Sequence, residues 1–535
     1  CLLADYYDST LMRNRVALTL GKMLELESTM DCHRVEVWVD GSYRGLYLLT
    51  EKIEKDENRV NINLDSGDFL IEMDWVSRTE AGNVYFTTSK FQQYYRLHEP
   101  EKQEKAETVK AVVDNFEEII TSGEWDKVKE SIDIDSFVEY YILNEYMKSI
   151  DFHILSVYFY YHNGKFYGGP AWDYDNSAGD FWRTYNGVAI HSSEGLYAAI
   201  CHFYLYLFRI PEFQFEVFKR YREFCNASLF ENIYSDGGFI DSDTTYYSEA
   251  ITRNNNAWGI GNYENHINSL KTWLNNRDKW LQSYYLTRIY TEPDGRYYYL
   301  NGQRTAAGLI TFENNYYYAG TDGKISTGTL TIDGRTYYTN DSGQFLLQSL
   351  EAAITGNDTL EHTAGTSSTL TLSAKVSGDY GYNAAKILTA GNYSLTWSTD
   401  STDIQGITFA NGVITVGTDA RAGIYRFPVN VTVTPKVQAH GDVQTTAQKI
   451  ITITVNEAPE PEPSPDIEPE PHTLSDDTPR TITVQTVSLI DGKTVSVFRD
   501  NHGEILLSAD IAIIPDSPDL HWTAGESFSH TVSIE

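Results

Sequence analysis

The sequence predicts a multidomain chain whose first 285 residues fold as an α+β domain and whose remainder is built from β-rich modules. Three observations predict this. The chain has 535 residues, more than a single hydrophobic core supports, so about three or four domains are expected. Helix-period and strand-period apolar patterns alternate through residues 1–285, then give way to tyrosine pairs separated by Gly, Asp and Asn turns. A Pro/Glu-rich run, "NEAPEPEPSPDIEPEPHT" (456–473), parts two regions of short Thr/Val/Ile strands.

The elements follow in chain order. "HRVEVWVDGSYRGLYLLTE" (33–51) alternates apolar and polar residues about Asp40-Gly41, a strong hairpin signal. "AETVKAVVDNFEEIITSG" (106–123) sets Val109, Val112, Val113, Phe116, Ile119 and Ile120 on one helical face and stops at Gly123. "DIDSFVEYYILNEYMKSI" (133–150) starts at a capping Asp135 or Ser136 and is apolar on most sides, which predicts a buried helix. Residues 154–169 read as two strands turning at His162-Asn163-Gly164, and helix patterns return over 203–224 and 263–285.

Beyond residue 285, "GRYYYLNGQ", "NNYYYAGTDGK" and "GRTYYTNDSGQ" recur, so 286–348 is expected to be a stack of aromatic β-hairpins, each too small to stand alone. Short strands broken by Gly and Asn over 349–457 predict an Ig-like β-sandwich. Residues 458–473 form an extended Pro/Glu linker, and 474–535 a partial β-rich module. Chains with such a spacer are usually displayed outside the cell, so an extracellular or bacterial cell-surface location is expected.

A formal charge of −34 argues against nucleic acid and anionic membranes as partners and favours cations or basic protein segments. Acidity also serves surface solubility, and composition does not separate the two. The four cysteines, Cys1, Cys32, Cys201 and Cys225, have no zinc spacing, and no run reaches transmembrane length. The chain begins at Cys1 within what reads as a folded region, so the domain is expected to be truncated at its N-terminus, and the lack of a signal peptide carries no weight.

Catalytic chemistry concentrates in "SIDFHILSVYFYYHNGKFYGGPAWDYDNSAGD" (149–180), where an aromatic hairpin carries acids at both ends. Phosphoryl transfer needs one carboxylate to orient the attacking hydroxyl and further oxygen ligands for a divalent cation. Asp151-x-x-x-x-Ser156 has the spacing of a kinase catalytic loop, with a hydroxyl in place of the amide. Asp173 ends the returning strand, where a hairpin would bring it beside Asp151. Magnesium suits so sparse a ligand set. Alternatively, Asp151 and Asp173 are ordinary turn residues.

Four stretches, "LLADYYDSTLMRNRVALTL" (2–20), "VEVWVDGSYRGLYLLTEKIEKDENRVNI" (35–62), "GDFLIEMD" (67–74) and "NEYMKSIDFHILSVYFYYHNGKFYGGPAWDYDNSAGD" (144–180), together resemble the CotH kinase family, the spore-coat-protein-H-like atypical secretory kinases. The resemblance covers residues 1–285. It implies a protein-kinase-like fold, ATP and Mg2+ as cofactors, and Ser/Thr phosphorylation of secreted or surface proteins. It places Asp151 on the family's catalytic Asp, Asp173 on its metal-binding Asp, and Asp175 where the family tolerates Asn. Two departures stand out: Ser149 where many members have Asn, and Asp40 in place of the usual turn Asn.

For the cation that grips the α/β-phosphates, Lys52 and Arg13 are rivals, with Glu51 and Glu72 as candidate pairing carboxylates. Lys52 is equally readable as a solvated strand-end residue. The hairpin repeats resemble cell-wall- or glucan-binding units, with Tyr298, Tyr317 and Tyr338 as candidate sugar-contacting residues, although they contain no Trp. Tyrosine packing between hairpins is the simpler alternative. Three readings of the whole chain follow: a secreted protein kinase acting on basic Ser/Thr-containing substrates, a non-catalytic structural or adhesive surface protein, and a glycosidase using Asp151 and Asp173 as paired carboxylates.

Overall fold

Asp40 (φ 50°) and Gly41 (φ 76°) both take left-handed backbone, the requirement of a two-residue type I′ turn. They join β2 (Cys32–Val39) to β3 (Ser42–Thr50), and β1 (Leu2–Leu3) pairs with the far side of β3. Helix α1 (Arg13–Met23) lies between β1 and β2 in the chain. The computed structural model describes residues 1–153, 155–180, 184–185, 188–382, 384–401 and 404–458, with three strands at 481–488, 494–499 and 529–531. Residues 1–457 form one compact unit and 458–535 a second.

A five-stranded antiparallel sheet organises the first 180 residues. Its strands are β4 (Phe69–Met73), β5 (Val84–Thr87), β6 (Tyr94–Glu99), β7 (Val157–His162) and β8 (Lys165–Gly168), in the order β5-β6-β4-β7-β8. Alternation gives the sheet two unlike faces. Phe69, Ile71, Met73, Tyr95, Val157 and Phe159 are buried in the main core. The opposite side of each strand supplies a cross-strand row, Tyr85–Arg96–Glu72–Tyr158, that is polar. The hairpin predicted over 154–169 is β7–β8, turning at Asn163 (φ 50°) and Gly164 (φ 86°).

The helices cover the core. In α2 (Gln103–Ser122), Val109, Val113, Phe116 and Ile120 are buried, and Gly123 caps the end in left-handed backbone (φ 73°). After α3 (Trp125–Ser131) comes α4 (Ile134–Met147), which packs against α1, β8 and two later helices, α6 (Pro211–Asn226) and α10 (Tyr263–Tyr285). Enclosure on all sides explains its apolar circumference. Its cap is Asp133, whose side chain accepts from the Ser136 amide at 3.0 Å, rather than Asp135 or Ser136. The N-cap must sit one residue before the helix begins, and α4 begins at Ile134. Glu145 on α4 and Arg277 on α10 form an ion pair with both side chains essentially inaccessible. Among the described residues no helix is long and apolar enough to cross a membrane.

Downstream of α10 the chain is a series of β-sheets. Three hairpins fall within the repeats: 288–300, 308–319 and 329–338. The first docks on α6, where the Phe218 ring meets Tyr290 and Tyr299 at centroid distances of 4.3 and 4.4 Å. The last shares a core with the following sheets through Tyr337, Phe345, Leu347, Leu350 and Val376. Residues 349–457 form one four-stranded and two three-stranded sheets around apolar cores. In the second unit, strands 481–488, 494–499 and 529–531 form one sheet. Most of the Pro/Glu linker, from residue 459 on, lies outside the described residues.

Candidate active site

The α4 helix ends at Lys148, a left-handed residue (φ 49°) whose ammonium is buried and donates to the carbonyls of Ala189, Ser192 and Glu194. Burial, reinforced by the nearby Arg277 charge, lowers its pKa to about 7. A short 3-10 turn, Ile150–His153, carries Asp151 out of the core. Its position is fixed by main-chain bonds to the loop after β8: Ile150 donates to Asn176 O at 3.1 Å, and Ala178 donates to Met147 O at 2.6 Å. Tyr197 donates to Ile150 O at 2.7 Å and also bonds His153 Nδ1. The two loops are thereby joined before any side chain at the site is considered.

The side chains then converge. Ser156 Oγ donates to Asp173 Oδ2 at 3.1 Å. Asp173 lies in the loop beyond β8, which ends at Gly168, rather than at the strand's own end, so the bond ties that loop to the start of β7. Both residues hold left-handed backbone, at φ 58° and 65°, a conformation that costs a residue with a Cβ about 1–2 kcal/mol. Asn176 Nδ2 reaches Asp151 Oδ2 at 3.4 Å. Asp175 completes the group. Burial foremost, then the charge of Asp173, a hydrogen bond with it and the charge of Asp151, push the Asp175 carboxyl up to about 7. Its Oδ1 and the Oδ1 of Asn176 are buried without hydrogen-bond partners.

These features suit a divalent cation: an Asp175 carboxyl whose proton affinity is raised by burial and by the neighbouring Asp173 and Asp151, and two orphaned acceptor oxygens beside it. Among the described residues no three His, Cys, Asp or Glu side chains form a complete metal cage. A magnesium–nucleotide site does not require one, because phosphate oxygens and water supply the remaining ligands.

The other sequence candidates are placed differently. Arg13 is buried, ion-paired to Asp8, 3.4 Å from Asp180 Oδ1, and donates through Nε to Ser177 O at 2.9 Å. Its neighbour Asn14 accepts from the Tyr174 amide at 2.7 Å and donates to Asp5 at 2.9 Å. The Arg13-Asn14 pair therefore clamps the loop that bears Asp173 and Asp175, a duty the sequence reading missed. Lys52 is exposed and pairs with Glu54 at 3.4 Å, while Glu51 bonds the Asp31 amide at 2.9 Å and lies 3.9 Å from Arg59. None of these partners belongs to the carboxylate group. Glu72 sits on β4 between Arg96 and Tyr158, with an oxygen 2.7 Å from His98 Nε2.

In the repeats, Tyr317 is buried, Tyr298 packs on Phe312 at 5.8 Å, and Tyr338 stacks parallel to His440 at 3.4 Å. The three rings contribute to packing within and between hairpins and, at Tyr338, against the region that follows them. Asn176 and Glu145 are further site residues that sequence reasoning passed over. A signal for Glu145 existed, since a carboxylate within a helix buried all round must be paired. Glu145 accepts from the Tyr197 amide at 2.7 Å and the Ala199 amide at 3.2 Å, which fixes the segment that holds Ile150 and His153.

No curated protein matches the chain. The family model described as CotH kinase protein matches residues 1–281, the whole region that carries the hairpin, the carboxylates and their clamp. This chain belongs to the CotH kinase protein family, and its N-terminal α+β domain is kinase-like.

Proposed function

We propose that residues 1–285 act as an ATP- and Mg2+-dependent protein kinase that phosphorylates Ser or Thr on secreted or surface proteins. The observation that carries this reading is the meeting of the start of β7 with the loop beyond β8, with Ser156 3.1 Å from Asp173 and Asp151 tied through Asn176 to the same loop. Asp151 orients the substrate hydroxyl and accepts its proton. Asp173, Ser156 and Asp175 hold the metal ion, and Asn176 steadies the Asp151 carboxylate. Bound Mg·ATP supplies the transferable phosphoryl group and neutralises charge as it moves. An enzyme with a formal charge of −34 favours basic protein substrates. The run of β-modules supports a surface or extracellular setting, with the modules presenting the kinase domain.

Incubating the full chain with Mg2+, labelled ATP and a basic protein tests the proposal. Label should enter Ser or Thr, and Asp151→Ala or Asp173→Ala should lower the rate by at least about 100-fold. Transfer that survives both substitutions would refute it.

A further inference from the structure

We propose that Arg96, on strand β6 opposite Glu72 of the central strand β4, is the cation that grips the nucleotide phosphates. The inference rests on the kinase reading and deepens it.

A metal-bound triphosphate keeps net negative charge, yet the site gathers Asp151, Asp173 and Asp175. Such a groove repels its ligand unless a fixed cation faces it. Arg13 does not fill this role: Asp8 and Asp180 occupy its guanidinium, and Nε is committed to Ser177 O. Lys52 projects into solvent beside Glu54.

Arg96 meets the requirement by register. β6 pairs with β4 so that Arg96 lies opposite Glu72, and β4 pairs with β7 so that Glu72 lies opposite Tyr158. The next pair along β4 and β7 is Met73 opposite Val157, after which the strands run into Asp74 and Ser156. Tyr158, at the end of the polar row, therefore stands two residues along the chain from the Ser156 hydroxyl that bonds Asp173. Arg96 also has unused capacity. Its Nε is buried without a hydrogen-bond partner, and Glu101, at 3.5 Å from a terminal nitrogen, is a weak contact. A guanidinium whose donors are left over beside an acidic cluster is suited to bidentate phosphate binding. Glu72, the cross-strand neighbour of Arg96, bonds His98 at 2.7 Å and does not occupy the guanidinium.

Calorimetric titration of the full chain with Mg·ATP and with adenosine tests the assignment, circular dichroism confirming that each variant is folded. Arg96→Met should weaken Mg·ATP binding by about 10- to 100-fold while leaving adenosine affinity unchanged. Arg96→Lys, which keeps the charge but not the fork, should recover part of the loss. If Arg96→Met does not fold, Arg96→Lys alone should still weaken Mg·ATP selectively. Undiminished Mg·ATP binding in the variants, equal losses for adenosine, or a selective loss with Lys52→Ala instead would overturn the role of Arg96 and leave the kinase reading standing. Failure of the unaltered chain to bind Mg·ATP would overturn both.

Discussion

Replacing Asp175 with Asn probes the central electrostatic feature of the site. In the folded chain the Asp175 carboxyl is pushed from 3.8 up to about 7, first by burial and then by Asp173 and Asp151. The sign follows directly. A carboxyl whose folded pKa exceeds its unfolded value binds its proton more tightly when folded, so stability is lost as pH rises through 3.8 toward 7, and the full cost applies above 7. The whole shift corresponds to about 4 kcal/mol. Because the carboxylate is partly open to solvent, screening reduces this to about 1–2 kcal/mol. Asp175→Asn should therefore raise the melting midpoint of the kinase-like domain by about 2 °C at pH 8 without metal. At pH 4 the gain should vanish, since Asp175 is then protonated in the unaltered chain. Adding Mg·ATP at pH 8 should reverse the order, because a cation relieves the crowding only where the charge exists. Differential scanning fluorimetry at the two pH values, with and without Mg·ATP, reads all three. An equal shift at both pH values, or destabilisation at pH 8, would show that Asp175 is not held in a repulsive cluster.

Three further outcomes are expected. Asn14→Ala removes the acceptor of the Tyr174 amide and the donor to Asp5; it should cost about 1–3 kcal/mol in urea unfolding and weaken Mg·ATP binding, whereas an unchanged midpoint would mean the clamp is dispensable. Arg277→Met strands Glu145 in the core and should cost about 3–5 kcal/mol, with Glu145→Gln added to it recovering part, both measured by denaturant titration. Burial lowers the pKa of both His153 and His202 to about 4, so NMR should find them neutral well below pH 6.5, and stability should fall as acid protonates them in the unfolded chain; titration of either ring near 6.5 would refute their enclosure.

How far the site was legible varies by residue, for physical reasons. The β7–β8 hairpin could be read because alternation and an Asn-Gly turn are local signals, and a hairpin obliges its open ends to meet. In the structure Ser156 bonds Asp173, and Asp151 reaches the same loop through Asn176. Arg13 and Asn14 were visible as a motif, but their function as a clamp depends on a loop more than 150 residues away, as the Asn14–Tyr174 bond shows with its separation of 160. Arg96 carried no signal, since an Arg in an alternating strand usually faces solvent, and only pairing with β4 sets it against Glu72.

The sequence by itself determined the alternation of helix and strand to about residue 285, the tyrosine hairpins beyond it, and the acids at the two ends of one ribbon. Each is written in the spacing of neighbouring residues. Only the tertiary structure decided which face of the sheet is polar, which cations are already engaged, and that the tyrosines of the repeats are packed. Those outcomes depend on burial and on partners far apart in the chain, where desolvation and long-range pairing outweigh local preference.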